Sequence, residues 1–236
     1  MKRLIFLVSG NGGNLKFIAK YIREISSNEF KIEAVIADRE CGALKYAQNQ
    51  DLQSFLIDYS RDQNYELKKL LSELSPDVVI TNIHKILDTD IVSCFKNKLI
   101  NLHYSLLPAY KGLIGVKPIQ AALKIQSKFI GSTVHFVDGD VDSGEIISQC
   151  TFSVQGIENF NEVVETVFQG GCLNLLNGLF ILFDMSALQD NNYSSTVRLL
   201  ERDCIFSPAL RYDVDFLNKD FWDKVKHDQN NLSMPS

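Results

Sequence analysis

No stretch of the 236-residue chain approaches the roughly 20 consecutive apolar residues that a membrane-spanning helix needs. The N-terminus imitates a secretory leader, with Met1-Lys2-Arg3 ahead of Leu4–Val8. That apolar run is too short, and it meets Ser9-Gly10-Asn11-Gly12-Gly13 where a small-residue cleavage site would stand. Cysteine is sparse. The five residues Cys41, Cys94, Cys150, Cys172 and Cys204 are odd in number and include no Cys-x-x-Cys pair, which argues against a disulfide framework and a zinc site. They read as buried, reduced thiols, and a soluble cytoplasmic protein is expected. Positive charge is in deficit, with 24 Lys and Arg against 29 Asp and Glu and a net charge of −5. A dedicated nucleic-acid binder needs an electropositive face, so neither nucleic acid nor membrane is expected as a partner, although a local basic patch can still hold a small anion. Internal repeats and low-complexity segments are absent. What remains is an ordinary globular composition, 45% hydrophobic and 22% charged, long enough for one large domain or one domain with a small extension.

The first half alternates short apolar runs with helical spacing. Leu4–Val8, Ile32–Ala37, Phe55–Ile57, Asp77–Thr81 and Leu99–His103 read as strands, and the unbroken apolar runs among them suit strands covered on both faces. Between them, Leu15 to Ile25, Gly42–Gln48 and Leu67 to Leu74 read as helices, the last stopping before Pro76. This alternation predicts an α/β fold, a Rossmann-like, mostly parallel sheet with helices on both faces. In the second half, Ile119–Ile125 reads as a helix. Ile130–Val137 and Ile146–Val154 read as an antiparallel pair. Val163 to Leu179 reads as one long helix that Gly170-Gly171 should weaken or bend. After Asp184 the pattern loosens. Gln189–Asn192 reads as a turn, Thr196–Val225 holds a strand-like piece and a polar-aromatic tail, and Gln229–Ser236 should fray. The expected division is a catalytic domain at 1–185 and a C-terminal extension at 186–236.

Chemistry concentrates in Asn101-Leu102-His103-Tyr104-Ser105-Leu106-Leu107-Pro108. Residues two apart on a strand share a face, so Asn101 and His103 project together near the carboxyl end of a parallel strand, where ligands of open α/β sheets bind. An amide donor beside an imidazole suits acyl chemistry: the amide can donate to a developing oxyanion and the imidazole can move a proton near neutral pH. Taken alone, a strand-end histidine can equally be structural. A second segment, Gly131–Val137 followed by Asp138-Gly139-Asp140-Val141-Asp142-Ser143-Gly144, lacks the glutamate and the ligand set of a calcium loop. The loop Gly10–Gly13 between a strand and a helix start presents backbone N–H groups to a small anion, or is simply a tight turn. It is not Gly-x-Gly-x-x-Gly, and no phosphate-loop lysine follows it.

Together these segments resemble the folate-dependent formyltransferases. Asn101–Pro108 is similar to that family's Asn-x-His-x-Ser-Leu-Leu-Pro signature, and His135–Gly144 to its histidine strand and aspartate loop. The resemblance is nearest to the branch that formylates glycinamide ribonucleotide in purine biosynthesis, and it runs from Leu4 through Ser9–Leu15, Asp38-Arg39 and Ile86-Leu87 to about Phe183. It implies transfer of a formyl group from 10-formyltetrahydrofolate to a primary amine, with no metal. Asn101, His103 and Asp142 would be the catalytic residues, with Asp142 holding the imidazole and favouring its charged form. Ile86, Leu87, Asp138 and Val141 would hold the pterin, with Lys85 and Arg61 as cations for the folate tail. Gly12, Gly13 and Asn14 would hold the acceptor's phosphate. His135 would support the site rather than act directly.

The chain departs from that branch on the acceptor side. Gly13 stands where serine is usual, Gly170-Gly171-Cys172 occupies a region that usually carries a glutamate, and the loop Tyr110–Ile119 is longer. Gly115-Val116-Lys117-Pro118 resembles formyltetrahydrofolate hydrolase, and the tail with Phe206-Ser207-Pro208 and Phe221-Trp222 has no counterpart. Three acceptors follow: glycinamide ribonucleotide, a nucleotide-linked amino sugar, and water. A non-catalytic nucleotide-binding module is the reading from outside this class.

Overall fold

The computed structural model describes residues 1–26, 28–59, 64–187 and 194–230. The chain forms two compact units, Met1–Asn101 with Asp215–Ser236, and Leu102–Val214. The first begins with β1 (Lys2–Val8), α1 (Gly13–Glu24), β2 (Phe30–Ala37), α2 (Gly42–Asn49), β3 (Ser54–Leu56), α3 (Tyr65–Leu74), β4 (Val78–Asn82), α4 (Thr89–Cys94) and β5 (Leu99–His103). Its strands run in the order β3-β2-β1-β4-β5, and neighbours are parallel. Leu4–Val8 are at most 1% exposed, as the continuous apolar run requires. This is the parallel α/β arrangement expected of a Rossmann-like fold. Helix α4 had no periodicity to announce it. Asp88 caps it by accepting the Ile91 N–H at 2.8 Å.

The second unit holds α5 (Lys117–Lys124), β6 (Phe129–Phe136), β7 (Ile146–Ser153), α6 (Phe160–Leu182), β8 (Ser194–Leu199) and β9 (Arg202–Leu210). Its strands pair antiparallel in the order β6-β7-β9-β8. Helix α6 runs without a break through Gly170 and Gly171. The glycines serve close packing. A Cβ at Gly170 would lie 2.9 Å from Cys150 Sγ, and one at Gly171 2.9 Å from the Tyr104 ring. The β8–β9 hairpin turns on Leu200 and Glu201, both left-handed with φ of 46° and 65°. Leu-Glu carries none of the Asn-Gly signal of such turns, so the sequence showed only one strand-like piece there.

The chain closes with α7 (Lys219–Asn230), which returns to the first unit. Trp222 stacks on Phe17 of α1 at 5.5 Å, Phe221 meets the same ring edge-on at 5.7 Å, and the Lys20 ammonium lies 5.0 Å over Phe221. The segment 186–236 is therefore shared out structurally: β9 pairs with β7, and α7 packs on α1. The turn read at Gln189–Asn192 lies outside the described residues; of the fraying expected over Gln229–Ser236, Gln229 and Asn230 instead end helix α7, and 231–236 lie outside the described residues. None of the five cysteines forms a disulfide, and only Cys150, Cys172 and Cys204 are buried. Cys94 is exposed because the short α4 buries only Ile91.

Candidate active site

Strand β5 carries Asn101 and His103 two residues apart, on one side of the strand. His103 is 6% exposed. Its Nδ1 lies 3.4 Å from Asp142 Oδ2, and its Nε2 lies 3.2 Å from the main-chain carbonyl of Tyr110. Asp142 Oδ2 also accepts the Gly112 N–H at 2.8 Å, and Asp142 Oδ1 faces His135 Nε2 at 3.6 Å. The other nitrogen of His135, Nδ1, donates to the Phe136 carbonyl at 2.8 Å. One carboxylate thus sits between two buried imidazoles. Tyr110, Gly112 and Asp142 all adopt left-handed backbone, with φ of 61°, 75° and 52°. For Tyr110 and Asp142, unlike the glycine, this conformation costs energy, and such conformations held by their surroundings gather at functional sites.

The turn after β5 is fastened to the antiparallel strands. Thr133 Oγ1 donates to the Ser105 carbonyl at 2.7 Å and accepts the Leu107 N–H at 3.1 Å. The Gln149 amide donates to the same hydroxyl at 3.0 Å and to the Leu107 carbonyl at 3.3 Å. Thr133 and Gln149 are register partners on β6 and β7, so this clamp is a product of strand pairing.

Burial acts first on His103 and lowers its pKa. Asp142 and the Tyr110 carbonyl push upward and His135 downward, and the net direction is down. The expected effect of Asp142 is present, but desolvation outweighs it. For Asp142, burial pushes the pKa up. The His135 ring, the Gly112 N–H and the charge of His103 together overcome that and hold the carboxyl below its usual range.

Asn101 is anchored on β4: its amide donates to the Thr81 carbonyl and to Thr81 Oγ1, the latter at 3.2 Å. Gly12, at φ 73°, precedes α1, and a Cβ there would lie 2.7 Å from the Ala43 Cβ, so only glycine lets α2 approach the loop. Gly13 and Asn14 open the first turn of α1. Ile86 is 54% exposed and Val141 46%, whereas Leu87 is buried. Asp138 Oδ1 accepts from the Asp140 N–H and the Ser143 hydroxyl, bracing the loop that carries Asp142. The Lys85 ammonium pairs with Asp58 at 2.9 Å, donates to the Tyr59 carbonyl and lies over the Tyr59 ring. Arg61 lies outside the described residues. Among the described residues, no group of three His, Cys, Asp or Glu is placed to hold a metal ion. Sequence reading missed the Tyr110 carbonyl and the Gly112 N–H as partners of the pair, since main-chain contacts leave no mark on residue type.

Residues 2–170 match the family described as formyl transferase. The chain belongs to the formyl transferase family. It is 31% identical over 172 residues to a phosphoribosylglycinamide formyltransferase of Haemophilus influenzae, covering 69% of this chain and 78% of that protein. A chloroplastic phosphoribosylglycinamide formyltransferase of Arabidopsis thaliana is 27% identical over 175 residues, 70% of this chain, and the chain spans only 60% of that relative's length. Among solved structures, phosphoribosylglycinamide formyltransferase from Anaplasma phagocytophilum aligns with a TM-score of 0.69 at 28% identity, covering 80% of this chain and 91% of that one. The match to the family ends at Gln169-Gly170 within α6, so β8, β9 and α7 lie beyond it. Helices long and apolar enough to cross a membrane are absent among the described residues.

Proposed function

We propose that this formyl transferase family member moves a formyl group from 10-formyltetrahydrofolate to the primary amine of a small phosphate-bearing acceptor, with glycinamide ribonucleotide favoured. The observation that carries the reading is the His103–Asp142 pair at the end of β5, 3.4 Å apart with the His103 ring buried. The named activities of the Haemophilus and Arabidopsis relatives support the same reaction. 10-Formyltetrahydrofolate supplies the formyl carbon. His103 takes the proton that the attacking amine must lose, and Asp142 orients the ring and stabilises the imidazolium that forms. Asn101 donates to the oxygen on which charge develops, giving up one of its two bonds to Thr81 to do so. Gly12, Gly13 and Asn14 hold the acceptor's phosphate, since the first turn of the 12-residue α1 presents N–H groups without helical partners. Exposed Ile86 and Val141 supply apolar surface of the kind a pterin covers, with Leu87 buried next to Ile86 in sequence and Asp138 bracing the Asp142 loop. Lys85 and Arg61 serve the folate tail, and Lys85 exchanges its Asp58 partner to do so. Residues 1–185 carry the activity, 186–236 are an addition to it, and five cysteines that form no disulfide suit the cytoplasm.

A nucleotide-linked amino sugar is the second reading. Gly171 packs directly beneath Tyr104, so this stretch of α6 offers an aromatic ring and no carboxylate to an acceptor. The test uses purified protein with 10-formyltetrahydrofolate, following the absorbance change on release of tetrahydrofolate. Glycinamide ribonucleotide, an amino sugar linked to a nucleoside diphosphate, and water alone are compared. Turnover with the ribonucleotide is expected. Turnover with the amino sugar alone overturns the favoured acceptor, and no turnover with any amine overturns the transferase.

A further inference from the structure

We infer that Tyr110 is a positioning residue for this transfer: its main-chain carbonyl holds Nε2 of His103, yields it to the reacting amine, and takes it back once the nitrogen is protonated. The inference rests on the reading of His103 as proton carrier. Both ring nitrogens face atoms that can only accept, the Asp142 carboxylate at Nδ1 and the Tyr110 carbonyl at Nε2. A charged imidazole donates at both positions, whereas a neutral one has a single N–H and a lone pair. The two contacts are therefore satisfied together only in the charged ring.

Burial opposes that charge. The groups facing the ring are Asp142 from the β6–β7 loop, His135 from β6 and the carbonyl of Tyr110 from the turn after β5. In the neutral ring the proton stays on Nδ1, beside the full negative charge of Asp142. Nε2 then turns its lone pair toward the Tyr110 carbonyl oxygen, and the two repel. The nitrogen is released as a base. When the amine attacks, the proton leaves the amine nitrogen and bonds to the Nε2 lone pair, while the electron pair of the broken N–H bond stays on the amine nitrogen. Nε2 is again a donor, and the Tyr110 carbonyl stabilises the imidazolium from the side opposite Asp142.

The turn is built to yield and return. Tyr110 holds a left-handed backbone that costs a non-glycine residue energy. Its hydroxyl sits 3.2 Å from Ser127 Oγ, which pins the side chain while the peptide rotates. Its ring lines a cavity of about 140 Å³ with Tyr104, Pro118, Ala122 and Phe129, which gives the turn room. Two residues on, the Gly112 N–H grips Asp142, so one turn steadies both members of the pair.

The test is a ¹⁵N-histidine NMR titration of the full chain, without donor or acceptor, for the wild type, Tyr110→Phe and Tyr110→Gly. In the wild type both His103 nitrogens should carry protons at low pH, and above the midpoint the proton should remain on Nδ1. Tyr110→Phe removes the anchor on Ser127 and Tyr110→Gly relaxes the left-handed backbone. In each the midpoint should move to lower pH, and the acid limb of the kcat profile should move with it. Losing a hydrogen bond to a charged ring should lower kcat about tenfold with the acceptor's KM little changed. A neutral ring with its proton on Nε2, or a midpoint unmoved in both variants, overturns the inference. The titration needs no substrate, so a lack of formyl transfer counts against the proposed activity and not against the grip of Tyr110.

Discussion

Trp222 is the chain's one tryptophan and the keystone of α7. It is 7% exposed and stacks at 5.5 Å on Phe17, which is fully buried in α1. Replacing it with alanine removes a large buried ring and leaves a void between two helices that cannot collapse fully, because Phe17, Phe216 and Phe221 are held by one another. Burial of about 200 Å² of aromatic surface at ~25 cal/mol per Å² sets a scale of about 5 kcal/mol. Measured aromatic-to-alanine changes in cores fall at about 3–5 kcal/mol. For a chain of this size each kcal/mol moves Tm by about 2–4 °C, so Trp222→Ala should lower Tm by roughly 6–20 °C. Differential scanning calorimetry reads the shift, and wild-type tryptophan emission should move to longer wavelength in the same transition. Hydrogen exchange should quicken in α1 and α7 ahead of β1. A fall of less than about 3 °C would refute the docking of α7 on α1 and the reasoning built on it. Because α1 begins at Gly13, loosening it should also raise the acceptor's KM before it lowers kcat.

His103→Ala should cut turnover about a hundredfold or more, with the far-ultraviolet circular dichroism unchanged, and an unchanged rate would remove the proton-transfer role. Asn101→Ala should cost about 100- to 1,000-fold in kcat if its amide meets the developing charge. Asp38 is fully buried and pairs with Arg39 at 2.8 Å. Burial raises its pKa, but the bonds from Arg39 and Ser9 prevail and hold it below the usual range. Its contribution is therefore complete above the unfolded carboxylate pKa of about 3.9 and is lost as pH falls through the lower folded value, so the stability gap between wild type and Asp38→Asn should be widest near neutrality and shrink in acid. Urea unfolding of both proteins at several pH values measures it, and a gap that widens on acidification contradicts the sign. Gly171→Ala drives a methyl to 2.9 Å from the Tyr104 ring and should cost about 1–3 kcal/mol by overpacking, less about 1 kcal/mol of regained helix propensity, read by Tm and acceptor KM together.

Local patterning determined the β–α repeats of residues 1–101, α4 apart. Continuous apolar runs such as Leu4–Val8 can be buried only on both faces, and amphipathic spacing between them leaves few alternatives to parallel β–α repeats. The Asn-x-His pairing was also legible, because strand geometry fixes which side chains share a side. The second unit was legible only in part. The β8–β9 hairpin turns on Leu200-Glu201, whose left-handed backbone is imposed by the paired strands and not by residue preference. Gly170 and Gly171 weaken an isolated helix, yet they let α6 approach Cys150 and Tyr104, a gain visible only once the sheet exists. Phe221 and Trp222 read as a tail because their partner Phe17 lies some 200 residues earlier. The environment of His103 was the furthest from reach. Asp142 was placed beside it through resemblance, but the net direction of its pKa depends on burial, and its other nitrogen meets a main-chain carbonyl that any residue at 110 would possess. Residue type specifies which groups can react; the folded backbone decides what faces them.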